Sequence, residues 1–347
     1  MVLLFSPRKS LQPVLDSLSW IWDSSWVSTP IGFVALNCRA RSSRRLDRVW
    51  TLTQTKREAH MNVQTALKLG GLIESAYEGY RNQLPNFDGL QYQGYAVVKT
   101  IYADDLATDL NPNVDPLARI VPIGFVARNI LSPLDAVIVV RGTEGIWEWI
   151  QDAKILPIPC PIVPGAGLTE DGFTDMYKSM RIAPDVNSPR LAASLQNVLN
   201  GDNCNVTICG HSLGSALVTL LALDVAVNTP YKQPTLYTFA SPRVGDLHFA
   251  NYFNVSVPDC YRIANRMDIV THVPAPPLYI HVGDETELNP GSNIANTLLC
   301  MHDMATYLSM LSGGATALTP SCVKAPVQQP AVVAEVAGVV TRVETIL

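Results

Sequence analysis

A chain of 347 residues with 48% hydrophobic content carries apolar mass for one large α/β domain with extensions, or two small ones, and too little for a polytopic membrane protein. Its formal charge of −5 gives no reason to expect a nucleic-acid partner. The seven cysteines form an odd count with no C-x-x-C pair, and no histidine cluster stands at ligand spacing. Composition therefore argues against a zinc site or a disulfide framework, and for cysteines used as small buried apolar residues.

Residues 1–60 differ from the rest of the chain, with nine Lys/Arg against four Asp/Glu. Leu11 to Leu36 is apolar and holds Trp20, Trp22 and Trp26, but Pro13, Asp16, Asp23 and Pro30 interrupt it. No unbroken run reaches the roughly eighteen residues of a spanning helix, and no small-residue cleavage site succeeds it. The reading is a leader of 1–60, disordered or peripheral, with a membrane-surface anchor as the alternative. No compartment is assigned.

From Glu58 to about Tyr80 apolar residues recur at helical spacing. Strands are expected at Tyr95–Tyr102, Ile120–Ala127 and Leu134–Val140, the last an apolar run suited to burial on both faces. A proline-rich loop comes next at Pro157–Pro164, then a helix at Leu191–Leu199. Val206–Cys209 is the next strand, with others at Thr235–Phe239 and Cys260–Ala264. Helices are expected at Leu247–Phe253 and Met301–Leu311. Strands alternating with helices predict an α/β fold with a mostly parallel central sheet covered on both faces.

The stretch that carries chemistry is Gly210-His211-Ser212-Leu213-Gly214, entered from a β-branched run and left through the helix formers of 216–223. A serine on a tight strand-to-helix turn needs neighbours without side chains, and the new helix aims its first amides at the serine oxygen. A nucleophile elbow in an α/β-hydrolase fold is succeeded along the chain by an acid and then a histidine. Asp268 fits the acid, just past a strand, whereas Asp246 reads as a helix N-cap. The candidate bases are His248, His272, His281 and His302. His272 stands too near Asp268, His281 sits in an apparent strand as a structural histidine, and spacing favours His302. His211 is set aside, because its side chain points away from that of its neighbour Ser212.

Over residues 60–312 the chain resembles the class 3 lipases, the fungal lipase-like α/β-hydrolases. Val137–Thr143 is similar to the oxyanion strand, with Trp149 and Asp152 at matching places beyond it. Gly172-Phe173 with Tyr177 resembles a helix start, and Tyr237–Gly245 a characteristic family stretch. Asp268-Ile269-Val270 with Val273-Pro274 resembles the acid loop, and His302 with Tyr307 the histidine segment. Two positions depart from the pattern: Glu170 stands where the family often has histidine, and Thr271 where it commonly has proline, both expected near the substrate face.

The resemblance implies a Ser212–Asp268–His302 triad, an oxyanion hole built from the amides of Leu213 and Thr143, and an α/β-hydrolase domain over 61–312 with a tail at 313–347. Ile146, Trp147, Trp149 and Ile150 form an amphipathic lid in this reading, with Ile146, Trp149 and Ile150 on one helical face. The expected reaction is hydrolysis of lipid carboxylic esters through an acyl-enzyme, a lipase or carboxylesterase activity that requires no cofactor or metal. The expected partners are a water-insoluble ester and a transient lipid interface. A phospholipase or aryl-ester esterase on the same scaffold, and a catalytically silent binding module, are the alternatives.

Overall fold

The computed structural model describes residues 61–104, 120–143, 156–201 and 203–324, all within the compact unit Ala59–Leu347. The leader 1–60, the lid residues, Asp152 and the tail from 325 onward lie outside the described residues.

Helix α1 (Val63–Arg81) begins where the Asn62 side chain accepts the Thr65 amide, an N-cap that sequence periodicity alone puts a few residues early. Strands β1 (Gln91–Tyr92), β2 (Tyr95–Asp104), β3 (Ile120–Asn129) and β4 (Asp135–Val140) then pair antiparallel, each with the next. The proline-rich segment is not wholly a loop. Its β5 (Pro157–Pro159) pairs with β6 (Leu168–Glu170) as a separate two-stranded ribbon, where no sheet interior asks the prolines for donors. The main sheet continues parallel from β4 through β7 (Asn205–His211), β8 (Thr235–Phe239), β9 (Cys260–Asn265) and β10 (Asp284–Leu288).

The run Asp135–Val140 shows why both faces are covered. Ala136, Ile138 and Val140 enter one apolar cluster, while Val137 and Val139 enter the other, as a period of two dictates. The first cluster receives α2 (Asp171–Ser179), α3 (Leu191–Val198), α4 (Leu213–Asn228) and α5 (Leu247–Ser256). The second receives α1 and the C-terminal helix α7 (Met304–Leu311), which the short α6 (Leu298–His302) precedes. Helix α4 is buried nearly throughout, which fits its apolar composition all round.

Three expectations need correction. The single helix Met301–Leu311 is two, because Asp303 takes an extended ψ of 132° and its side chain binds the Thr319 hydroxyl. His281 stands before a strand rather than within one. The strand is the charged Asp284–Leu288, held at the sheet edge by its ladder to β9 and by a Glu285–Arg262 ion pair across that register. Finally, Cys300 and Cys322 are joined in a disulfide, their Cα atoms 5.2 Å apart. Residue spacing cannot reveal a pair that only the fold brings within bonding distance.

Candidate active site

The elbow is built by close backbone approach. A Cβ on Gly210 would lie 2.6 Å from the Gly214 carbonyl oxygen, and one on Gly214 would lie 2.4 Å from that of Arg141. Both positions are therefore closed to side chains. Between them Ser212 adopts φ 59° and ψ −129°, a conformation that non-glycine residues avoid unless their surroundings enforce it. Its amide is bonded to the Phe239 carbonyl at the end of β8, and helix α4 starts at the following residue. The amides of Leu213 and Gly214 open that helix, so neither has a helical carbonyl one turn earlier, and their positive ends face the serine side.

Ser212 Oγ lies 2.7 Å from His302 Nε2, and His302 Nδ1 lies 2.8 Å from Asp268 Oδ2. The carboxylate only accepts, so Nδ1 carries the proton and Nε2 is left to receive the serine hydrogen. All three residues are nearly sealed from solvent, at 0%, 7% and 1% exposure for Ser212, His302 and Asp268. The Asp268 carboxylate is held on both oxygens. Oδ1 accepts the Val270 amide at 3.0 Å, and Oδ2 also accepts the Tyr307 hydroxyl at 2.8 Å.

The chain positions these groups from two strand ends and one helix. Ser212 comes directly after β7, Asp268 shortly after β9, and His302 closes α6. Asn265, the last residue of β9, donates from its side chain to the Met301 carbonyl at 2.7 Å, which fixes the histidine helix against the acid's strand. Its amide donates to the Tyr307 hydroxyl oxygen. Asn265 carries no signal in the sequence. Tyr307 does, five residues past His302, but with no role attached.

The other histidines are occupied elsewhere. His272 binds the Asp268 backbone carbonyl, and His248 faces the Gly165 carbonyl from an exposed helix turn. His281 donates to the Thr271 carbonyl at 2.8 Å, and burial, with Arg262 nearby, pushes its pKa down to about 3. His211 is engaged with α1, where its Nδ1 meets the Tyr77 hydroxyl at 2.8 Å. Asp246 caps α5 by accepting the Phe249 amide. Glu170 is buried and caps α2 through the Phe173 amide; burial raises its pKa despite that bond. Thr271, also buried, bonds the Asp268 carbonyl through its hydroxyl.

Beyond the end of β4, Gly142 abuts the elbow so closely that a Cβ there would lie 2.8 Å from that of Ser212. Thr143 is the next residue. Together with His302 it lines a cavity of about 420 Å³ whose wall also carries Glu74, Arg81, Asp303 and Thr319. The structure thus brings Ser212, Asp268 and His302 into one hydrogen-bonded line, with Leu213 at the helix start and Thr143 at the cavity wall. Ile146, Trp147, Trp149 and Ile150 fall outside the described residues.

Comparison with known proteins adds to this geometry. A family profile described as "Lipase (class 3)" matches residues 137–277, from β4 to the loop beyond Asp268. The chloroplastic phospholipase A1-Ialpha2 of Arabidopsis thaliana is 28% identical over 270 residues, covering 64% of this chain and 55% of that protein. A lipase of Rhizomucor miehei is 32% identical over 173 residues, covering 49% of this chain and 46% of that one. The chain thus spans about half the length of these two curated relatives. Among solved structures, a deletion mutant of the Rhizomucor miehei lipase propeptide complex matches with TM-score 0.53 at 25% identity, over 75% of this chain and 82% of that one. A lipase from Rhizopus microsporus var. chinensis shares the fold at TM-score 0.51 and 23% identity, over 65% of this chain and 74% of that one.

Proposed function

We propose that the chain, whose residues 137–277 match the class 3 lipase profile, is a lipase of that family and hydrolyses carboxylic esters of lipids through an acyl-enzyme on Ser212. The observation that carries this reading is the buried line Ser212 Oγ, His302 Nε2, His302 Nδ1 and Asp268 Oδ2, set at the N-terminus of a helix. His302 takes the serine proton as Oγ attacks the ester carbonyl, then gives it to the leaving alcohol. Asp268 keeps the imidazole in the required tautomer and stabilises its protonated form. The amides of Leu213 and Thr143 receive the negative charge of the tetrahedral intermediate, a single donor of this kind being worth about 2.7–4 kcal/mol in barrier height. Water repeats the sequence on the acyl-enzyme and frees the acid.

Contact with a lipid surface is part of the proposal. Met267 and Ile269 flank Asp268, and Leu298 and Leu299 precede His302; all four are exposed, with Leu299 at 66%. Apolar side chains on the loops that carry the acid and the base suit a site that meets its substrate at an interface. The amphipathic segment 146–150 is proposed as the lid over that site, on its sequence pattern alone.

A polar-headed lipid is the second reading, favoured by the cavity beside His302 and Thr143, whose wall carries Glu74, Arg81, Asp303 and Thr319. The carboxylates and hydroxyls there can accept hydrogen bonds from a hydroxyl-rich sugar head, while Arg81, the cation on that wall, is already paired with Glu74. The test is a hydrolysis series over triacylglycerols, phosphatidylcholine, a galactolipid and aryl esters of rising acyl length, with Ser212→Ala as the blank. Release of fatty acid by the wild type, absent from the blank, is expected. Equal release by both removes the proposal, and preference for the polar-headed lipids selects the second reading.

A further inference from the structure

His211, beside the nucleophile, takes no part in the Ser212–His302–Asp268 relay, yet it is buried and bonded at both ring nitrogens. Its Nε2 lies 2.9 Å from the backbone carbonyl of His302, and its Nδ1 lies 2.8 Å from the Tyr77 hydroxyl. A carbonyl only accepts, so Nε2 carries the hydrogen and Nδ1 receives that of the tyrosine. The same Tyr77 oxygen accepts the Gly142 amide at 2.9 Å. An unbroken chain of donors therefore runs Gly142 N–H to Tyr77, Tyr77 O–H to His211, and His211 N–H to the backbone of His302.

The two ends of that chain are the two halves of the proposed machinery. Gly142 immediately precedes Thr143 and packs against Ser212, while the other end is the residue that must move the proton. No space separates these parts: a Cβ on Gly142 would meet the Tyr77 hydroxyl at 2.6 Å and the His211 carbonyl at 2.9 Å. The His211 and His302 rings lie 4.9 Å apart between centroids. A charge on His211 would oppose the imidazolium that forms on His302 during each turnover. Burial, then the neighbouring His302, holds His211 well below the ordinary histidine range, so it stays neutral.

We propose that Tyr77 and His211 are positioning residues that register the oxyanion strand against the catalytic base through one buried hydrogen-bonded chain. The proposal rests on Ser212, Asp268 and His302 being the hydrolytic centre. Tyr77 comes from α1, 65 residues ahead of Gly142 in the sequence, which gives that helix a catalytic consequence beyond packing.

The test compares Tyr77→Phe, His211→Gln and His211→Leu in the full chain, using a short soluble aryl ester and a serine-directed phosphonate. Phenylalanine keeps the ring and loses the chain's central atom; glutamine keeps a donor near the ε position and leucine keeps none. Misplacement of reacting groups lowers turnover rather than binding, so kcat should fall roughly ten- to hundredfold in Tyr77→Phe with KM little changed. His211→Gln should retain more kcat than His211→Leu, and phosphonate labelling of Ser212 should slow in parallel. Should Tyr77→Phe and His211→Leu lose thermal stability but keep wild-type kcat, the chain serves only to hold the fold and the proposal fails. The same holds if glutamine and leucine at 211 are equally active. A wild type that neither hydrolyses the ester nor labels at Ser212 would instead overturn the hydrolase reading itself.

Discussion

Tyr307 donates its hydroxyl hydrogen to Oδ2 of Asp268 at 2.8 Å, the same oxygen that holds Nδ1 of His302. The tyrosine oxygen in turn accepts the Asn265 amide at 3.0 Å. One phenol thus ties the end of β9, the acid and α7 together. Burial and the adjacent carboxylate push its pKa well above the ordinary tyrosine range, so it remains a neutral donor at working pH.

Tyr307→Phe should therefore weaken both fold and turnover. A hydrogen bond to a charged group is worth about 1.5–3 kcal/mol, and the buried Asn265 amide also loses its acceptor. Urea unfolding should register a loss of that order, with kcat reduced because the carboxylate is held less firmly. Wild-type stability and kcat in this variant would show that the Val270 amide and His302 suffice to fix Asp268.

Acid should destabilise the protein through its buried neutral histidines. The folded-state pKa of His281 is about 3, against 6.5 for the free side chain, and His211 is shifted the same way. Between those two values the unfolded chain takes up a proton at His281 that the folded chain refuses. Stability falls as pH drops through that window and is indifferent to this residue above it. The slope from one such histidine is at most about 1.4 kcal/mol per pH unit. A urea series from about pH 7 to pH 4 should show it, and His281→Gln should flatten it. An unchanged slope in that variant would mean the histidine is charged in the fold.

The Cys300–Cys322 bond joins α6, which ends in His302, to a turn 22 residues further along. Closing a loop of that length stabilises by roughly 3 kcal/mol on the chain-entropy account. Cys300→Ser with Cys322→Ser should lower Tm and, by loosening the segment that carries the base, lower kcat. A double variant with unaltered Tm and kcat would leave the bond without a part in either.

Much of this site was legible because its signals are local. Gly210 and Gly214 announce a backbone contact that forbids side chains, and β-branched runs such as Ala136–Val140 announce strands buried on both faces. Chain order then leaves few histidines to consider. What escapes depends on tertiary neighbours. Tyr77 meets His211 across 134 residues, and Asn265 meets Met301 across 36, with nothing in either local pattern to mark it. Asp284–Leu288, with three acidic side chains, carries no apolar strand signal, and becomes a strand only because β9 offers it an edge and Arg262 a counter-charge. The cysteine pair is hidden for the same reason, since an odd count conceals a single bond.

The most direct measurement is to treat the full chain with a serine-directed phosphonate, map the adduct by mass spectrometry, and follow ester hydrolysis in the same samples. A single adduct on Ser212 is predicted, with hydrolysis falling in proportion to labelling, and with both nearly abolished in His302→Ala. Hydrolysis that persists when Ser212 is fully modified, or in Ser212→Ala, would contradict an acyl-enzyme at this serine.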